Sequence, residues 1–358
     1  MNKLIKNSFI AVLVLATISL SWIWTGYQEA LQQPLNIKQD SIEYSIQSGS
    51  SLSSVIYNLA NKGIVSHPRY LLLHAKINGL SNNMQAGDYH LTKSLSTQDF
   101  LNNIFTGKVI QYSMTIIEGW SFKQLLQEMK KNPHIKQTIN KASNDEIMQR
   151  LDLAGIHPEG QFLPDTYHFP KELTDIDFLK RAYHAMQKTL KQEWDNRAVG
   201  LSYKSPYEAL IMASIVEKET GKVEEREQIA GVFLRRIDKR MRLQTDPTVI
   251  YGMGDAFKGN IRKRDLLKDT PYNTYRRSGL PPTPIALPGR DAIYAALHPA
   301  DGDALYFVSK GDGSHAFSAT LKEHNKAVIK YQLKGRARSF SSYNHKKKPE
   351  NVDESINK

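Results

Sequence analysis

The sequence predicts an α+β chain, with an N-terminal membrane helix followed by a small α/β region and a C-terminal mixed α+β domain. Three observations predict it. From Asn7 to Gln28 no residue is charged. A strand, a Gly turn and a helix are signalled at Tyr44–Leu52 and again from Ile117 to Met129. Helical periodicity dominates from Asp175 to about Arg242; Gly and Pro then become frequent through Gly289, and Leu305-Tyr306-Phe307-Val308 has the pattern of a buried strand.

The apolar run Phe9–Ala16 continues through Ile18 and Leu20 to Trp24, and about 20 mostly apolar residues suffice to cross a bilayer. Lys3 and Lys6 precede it and Glu29 follows, so the positive-inside bias leaves the amino end in the cytoplasm and the bulk of the chain outside. A cleaved signal peptide would need small residues at the cleavage zone. Trp24-Thr25-Gly26-Tyr27-Gln28 offers a poor one, so the segment is expected to remain as an anchor.

The chain has 358 residues, 40% of them hydrophobic, enough for two domains with their own cores. Its lack of cysteine excludes disulfides, thiolate nucleophiles and cysteine-type zinc sites. A net charge of +12 points to an acidic partner, whether nucleic acid, anionic lipid or a peptide-substituted wall glycan. Export argues against nucleic acid.

Residues 28–42 carry Gln32, Gln33, Pro34 and Asn36 without periodicity and are expected to be a linker. After Tyr44-Ser45-Ile46, Gly49 makes a turn, and Ser50 or Ser51 caps a helix with Leu52, Val55, Ile56 and Leu59 on one face. In the second copy Gly119 matches Gly49, Ser121 matches Ser51, and Leu125-Leu126 matches Val55-Ile56, a weak duplication within 43–138. The first copy resembles LysM modules, which hold N-acetylglucosamine polymers; scaffolding is an equally open role. Gly160–Tyr167 is a Gly/Pro-punctuated loop joining the halves. A domain at 139–334 follows, and the basic end 335–358, with Arg336, Arg338 and Lys346–Lys348, is expected to be a solvated tail.

The most informative helix begins at Ser205-Pro206-Tyr207-Glu208 and runs to Glu219-Thr220-Gly221. Ser205 is its N-cap, Glu208 completes a capping box and Gly221 is the stop. A helical wheel at about 100° per residue sets Glu219 within the stripe of Ile211, Met212, Ile215 and Val216, with Glu217 on the other, more exposed side. Burial against aliphatic side chains, and a place at the negative end of the helix dipole, both disfavour a charged carboxylate. Such a group stays protonated near neutral pH, as a general acid for a glycosidic oxygen must. Pairing of Glu219 with Arg235, Arg236 or Lys239 is the alternative.

A series of motifs follows: Arg242-Leu243-Gln244-Thr245-Asp246-Pro247-Thr248-Val249-Ile250-Tyr251-Gly252, Tyr272-Asn273-Thr274-Tyr275, Gly279–Ile285, Pro288-Gly289 and His315-Ala316-Phe317-Ser318. Together with the Ile215–Thr220 helix end, they resemble the MltG/YceG-like endolytic murein transglycosylases over the whole chain. The resemblance implies that the C-terminal domain is catalytic, and that Glu219-Thr220 is similar to the Glu-Ser pair of lysozyme-like transglycosylases. Glu219 would then protonate the oxygen between N-acetylmuramic acid and N-acetylglucosamine in nascent strands. The muramic C6 hydroxyl would close a 1,6-anhydro ring at C1, with no cofactor. It further implies a place at the cell inner membrane, anchored by residues 8–27 with 1–7 in the cytoplasm, a role as glycan chain terminator, and partnership with peptidoglycan synthases.

Candidate substrate contacts are Thr220, Gln244, Asp246, Thr248, Tyr251, Tyr272, Asn273, Tyr275 and His315. For Asp246, a cap before Pro247 is as open as direct contact; for the tyrosines, a place in the core. The spacing of histidines offers no metal site, since no i, i+4 pair occurs. Two other functions stay open: a hydrolytic muramidase using a second carboxylate, and a non-catalytic wall-binding scaffold.

Overall fold

The computed structural model describes residues 3–80 and 84–333; the basic segment 335–358 lies outside them. Two compact units divide the described chain. One takes residues through Ile116 with Lys123–His157 and Asp165–Tyr183; the other takes Ile117–Phe122, Pro158–Pro164 and residues from His184 onward.

In chain order the first stretch reads α1 (Lys3–Gln32), β1 (Ser41–Ile46), α2 (Leu52–Asn61), α3 (Pro68–Ile77), β2 (Gly87–Thr92), α4 (Thr97–Thr106) and β3 (Gln111–Thr115). Then come α5 (Phe122–Lys131), β4 (Ile135–Lys136), α6 (Asn144–Arg150), β5 (Thr166–Pro170), β6 (Leu173–Thr174) and α7 (Asp175–Asp195). Helix α1 is long and apolar enough to cross a membrane by length and composition. Its large apolar side chains from Phe9 to Trp24 are exposed, a surface that water does not favour.

The segment expected as a linker is packed. Helix α1 runs on to Gln32, Tyr27 bonds His74 at 2.7 Å, and Leu31, Leu35 and Ile37 enter the same core as Leu59, Leu91 and Phe100. Four buried apolar residues between Ala30 and Ile37 bind this stretch to its unit more firmly than its polar residues suggest. Ser51 caps α2 by accepting from the Ser54 N–H at 3.1 Å, and Leu52, Val55, Ile56 and Leu59 are the buried face.

Gly49 and Gly119 are both left-handed, at φ 84° and 75°, so both turns take the conformation that glycine adopts at least cost. The copies then diverge. Strand β1 pairs antiparallel with the nearby β2, whereas β3 pairs with β5, which is distant in sequence. That pairing, together with the parallel pair β4–β6, draws residues 165–183 into the first unit. The division between units therefore does not fall at residue 138, because strand hydrogen bonds outrank chain order.

The second unit contains α8 (Pro206–Glu219), α9 (Val223–Asp238), α10 (Asp246–Met253), α11 (Lys263–Leu267), α12 (Arg290–Leu297), β7 (Tyr306–Ser309), β8 (His315–Ser318) and α13 (Leu321–Tyr331). Every residue of α8 from Ala209 to Val216 is buried. A helix covered all round has lost its solvent face. Helix α9 comes close to the chain at Ala300: a Cβ on Gly231 would sit 2.6 Å from the Ala300 carbonyl, and Arg235 donates to that oxygen at 3.0 Å. Strands β7 and β8 pair antiparallel. Val308 is buried while Tyr306 and Phe307 are half-buried, so β7 is less enclosed than its composition predicts.

Candidate active site

Helix α8 starts as its sequence dictates, with Pro206 in the first turn and the Ser205 side chain accepting from the Glu208 N–H at 3.4 Å. The expected capping box is shifted, since the Glu208 carboxylate accepts from the Lys204 N–H at 2.7 Å. The stop also differs. Thr220 ends the helix in an extended conformation, φ −144°, so the turn does not depend on Gly221. The Thr220 hydroxyl accepts from the Lys222 N–H at 3.0 Å. Thr220 is 5% exposed and serves as a cap, where a substrate contact was expected.

Glu219, the last residue of α8, faces a cavity of about 500 Å³ lined also by Arg236, Gln244, Thr245, Asp246, Tyr275 and His315. The Thr245 hydroxyl donates to Glu219 Oε1. Burial pushes the Glu219 carboxyl up to about 7; the charge of Asp246 adds to the rise, and the Thr245 bond and Arg236 oppose it. A carboxyl so placed keeps a large protonated fraction near neutral pH and has a hydroxyl and a cation ready for its charged form.

The loop that brings Thr245 and Asp246 here is held by polar stitching. Gln244 is left-handed at φ 54°, a conformation uncommon for a residue with a Cβ. Its N–H donates to the Thr274 carbonyl at 3.2 Å, and the Thr245 N–H donates to the Thr274 hydroxyl at 3.1 Å. The fully buried Thr248 donates to the Thr245 carbonyl at 2.8 Å. Arg236 clamps the same loop from α9, donating to the carbonyls of Leu243 at 2.8 Å and Arg242 at 3.1 Å, and ties it to the start of β7 through the Leu305 carbonyl at 2.6 Å. Tyr275 donates to Asp246 Oδ1 at 2.6 Å. Burial, and then the neighbouring Asp246 charge, push the Tyr275 phenol up.

Of the residues expected at the site, the structure thus gathers Glu219, Gln244, Asp246, Tyr275 and His315. His315 is tied through Nδ1 and its backbone N–H to Glu225, at 2.7 and 2.9 Å. The others support. Asn273 is 1% exposed, donates to the carbonyls of Leu266 and Lys268 at 3.0 and 2.6 Å, and accepts from the Tyr275 N–H. Thr248 and Asn273 are therefore corrected from substrate contacts to loop braces, because buried polar groups are spent on internal partners. Tyr251 and Tyr272 pack edge to face at 4.9 Å, with hydroxyls on Glu159 and Thr283.

Glu217 corrects the helical wheel. Its side chain is only 5% exposed, Arg226 lies 3.1 Å from Oε1, and the Gly289 N–H donates to Oε2 at 2.9 Å. Burial raises its pKa and the nearby Glu118 adds to the rise, against Gly289 and Arg226. Gly289 allows the approach, since a Cβ there would overlap the Glu118 carboxylate. Because α8 is buried from Ala209 to Val216 and only Lys218 of its last turn is exposed, both glutamate side chains point into the protein.

Sequence reasoning passed over Lys263, Tyr306 and His324, which line the cavity; they come from α11, β7 and α13, outside the motifs except by proximity. It also passed over Glu159, 4% exposed, which accepts from the Phe122 N–H at 2.9 Å and the Tyr251 hydroxyl at 3.1 Å and is pushed by burial up to about 7. Its signal was the Glu-Gly-Gln-Phe opening of the loop. Among the described residues no three His, Asp or Glu side chains are grouped to hold a metal.

The model of the YceG-like family matches residues 44–330. The chain is 33% identical to an endolytic murein transglycosylase of Bacillus subtilis (strain 168), over 85% of this chain and 89% of that protein. It is 27% identical to an endolytic murein transglycosylase of Streptococcus pneumoniae, over 91% of this chain but only 65% of the longer relative. A crystal structure of a YceG-like protein from Listeria monocytogenes is 30% identical, with a TM-score of 0.49 over 81% of this chain and 99% of that one.

Proposed function

The chain belongs to the YceG-like family, and we propose from that membership that it is an endolytic murein transglycosylase, a lyase that cuts peptidoglycan glycan strands. Glu219 in its cavity, holding a proton up to about pH 7, is the observation that carries the chemistry.

In this reading Glu219 protonates the oxygen joining C1 of N-acetylmuramic acid to N-acetylglucosamine, and the C1–O bond breaks as positive charge develops at C1. The Glu219 carboxylate, now accepting from Thr245 and facing the Arg236 charge, takes the proton of the muramic C6 hydroxyl. That oxygen bonds to C1 and closes the 1,6-anhydro ring. One carboxyl serves as acid and then base.

Helix α1, of sufficient length and apolarity, would hold the enzyme at the inner membrane with its bulk outside the cytoplasm, next to nascent strands and their synthases. The strand-turn-helix β1–α2 would then serve as a LysM-like glycan contact. A second reading has one specific support: Asp246 shares the cavity and accepts from Tyr275 at 2.6 Å, so it could act as the second carboxylate of a hydrolytic muramidase.

Mass spectrometry of digested strands decides. Anhydromuramic ends, lighter by one water than reducing ends and lost in Glu219→Gln, support the transglycosylase; reducing ends support the hydrolase. Unaltered cellular function in Glu219→Gln would leave only a scaffold.

A further inference from the structure

Cations cluster on α11 and the chain on either side of it, and one of them, Lys263, lines the cavity. Lys258, Arg262, Lys263, Arg264 and Lys268 lie within eleven residues and are all exposed. Two acids in the segment offset part of this charge: Asp265 accepts from the Arg262 N–H at 2.8 Å and lies 3.7 Å from Arg264 Nε, while Asp269 accepts from Arg277 at 2.9 Å. The same short helix presents Lys263, Leu266 and Leu267 to the cavity that holds Glu219, and Leu267 is 45% exposed. A basic, partly apolar wall is thus continuous with the catalytic cavity.

We propose that the α11 rim is a subsite for the acidic peptide attached to the muramic acid, so that the enzyme distinguishes peptide-bearing strands from bare glycan. The inference rests on the glycan-cutting function above. The C1 that is attacked and the C3 lactyl ether that bears the peptide belong to one sugar ring. With C1 beside Glu219, the peptide must leave the cavity across its wall. Its carboxylates are ionised near neutral pH and meet lysine and arginine there, while its small aliphatic side chains meet Leu266 and Leu267. An anionic lipid headgroup suits the same cations but has no reason to share a wall with Glu219.

The test compares peptide-bearing strands with strands stripped by an amidase. The full-length chain is assayed alongside Lys263→Glu/Arg264→Glu and a charge-matched control on α7, Lys188→Glu/Lys191→Glu. The cleavage ratio within each protein cancels a general loss of activity, and binding of both strand types in a Glu219→Gln background gives a readout independent of cleavage. The wild type is expected to prefer peptide-bearing strands, with the preference falling about tenfold in the rim variant and unchanged in the control. Equal handling of both strands by the wild type overturns the proposal, as does an unchanged ratio in the rim variant or an equal fall in the control. So does a rim variant that keeps the ratio but loses binding to vesicles of anionic phospholipid, which assigns the rim to lipid. Failure of the wild type to cut either strand, with a binding preference intact, refutes the glycan-cutting function and not the subsite.

Discussion

The two sides of helix α8 set almost the same side chain in two different surroundings. Glu217 and Glu219 are two residues apart, and burial raises the pKa of both. Glu217 is closed in by Arg226, Gly289 and Glu118 and lines no part of the cavity. Glu219 accepts from one hydroxyl donor and lines the cavity. Glu159, buried elsewhere in the same unit, is pushed as high as Glu219. A raised pKa therefore does not single out an acid; what does is a raised pKa beside space for a substrate oxygen.

The largest effect that would break this comparison is the loss of catalysis on one side alone. Glu219→Gln is expected to lower the cleavage rate by about 10³-fold, or roughly 4 kcal/mol in the barrier, with the fold unchanged by circular dichroism. Glu217→Gln should do the reverse. It leaves the buried Arg226 short of a partner and should cost about 3 kcal/mol of unfolding free energy in a denaturant titration, while activity per folded molecule stays within about twofold. If Glu217→Gln abolishes cleavage in a stable protein, the assignment of the acid moves to Glu217.

Glu159 extends the comparison to stability. Its folded value of about 7 lies above the 4.5 of a free glutamate, so the native chain keeps a proton that the unfolded chain has lost. Its contribution is fully present below pH ~4.5 and is lost as pH rises through about 7. Glu159→Gln should flatten the fall in stability across that window by on the order of 3 kcal/mol.

The smallest effect sharpens the acid itself. Activity should decline above about pH 7 as Glu219 deprotonates. Thr245→Val removes the bond that favours the carboxylate and should move that alkaline limb upward by about one pH unit. An unmoved limb would show that Thr245 does not tune Glu219.

Much of the site was legible in the sequence because its signals are local. Pro206 and the Ser205 cap place the start of α8, aliphatic spacing set Glu219 apart from Glu217, and the Gln244–Thr248 and Tyr272–Tyr275 motifs named the loops. The errors share one cause. Thr220, Thr248 and Asn273 were candidates because they are polar, yet their hydrogen bonds go to neighbouring backbone. The expected linker failed similarly, since the burial of Leu31, Leu35 and Ile37 depends on residues far along the chain.

By itself the sequence determined periodicities, caps, turns at Gly49 and Gly119, and the motif series that marks the family, all of which depend on residues close in the chain. Only the tertiary structure decided that α8 is buried on all sides from Ala209 to Val216, that β5 returns to β3, and that Arg236, Thr245, Asp246 and Tyr275 converge around Glu219. Those outcomes depend on packing between distant segments. The local pattern that distinguished two glutamates could not reveal that the second also lies in an interior, paired with Arg226.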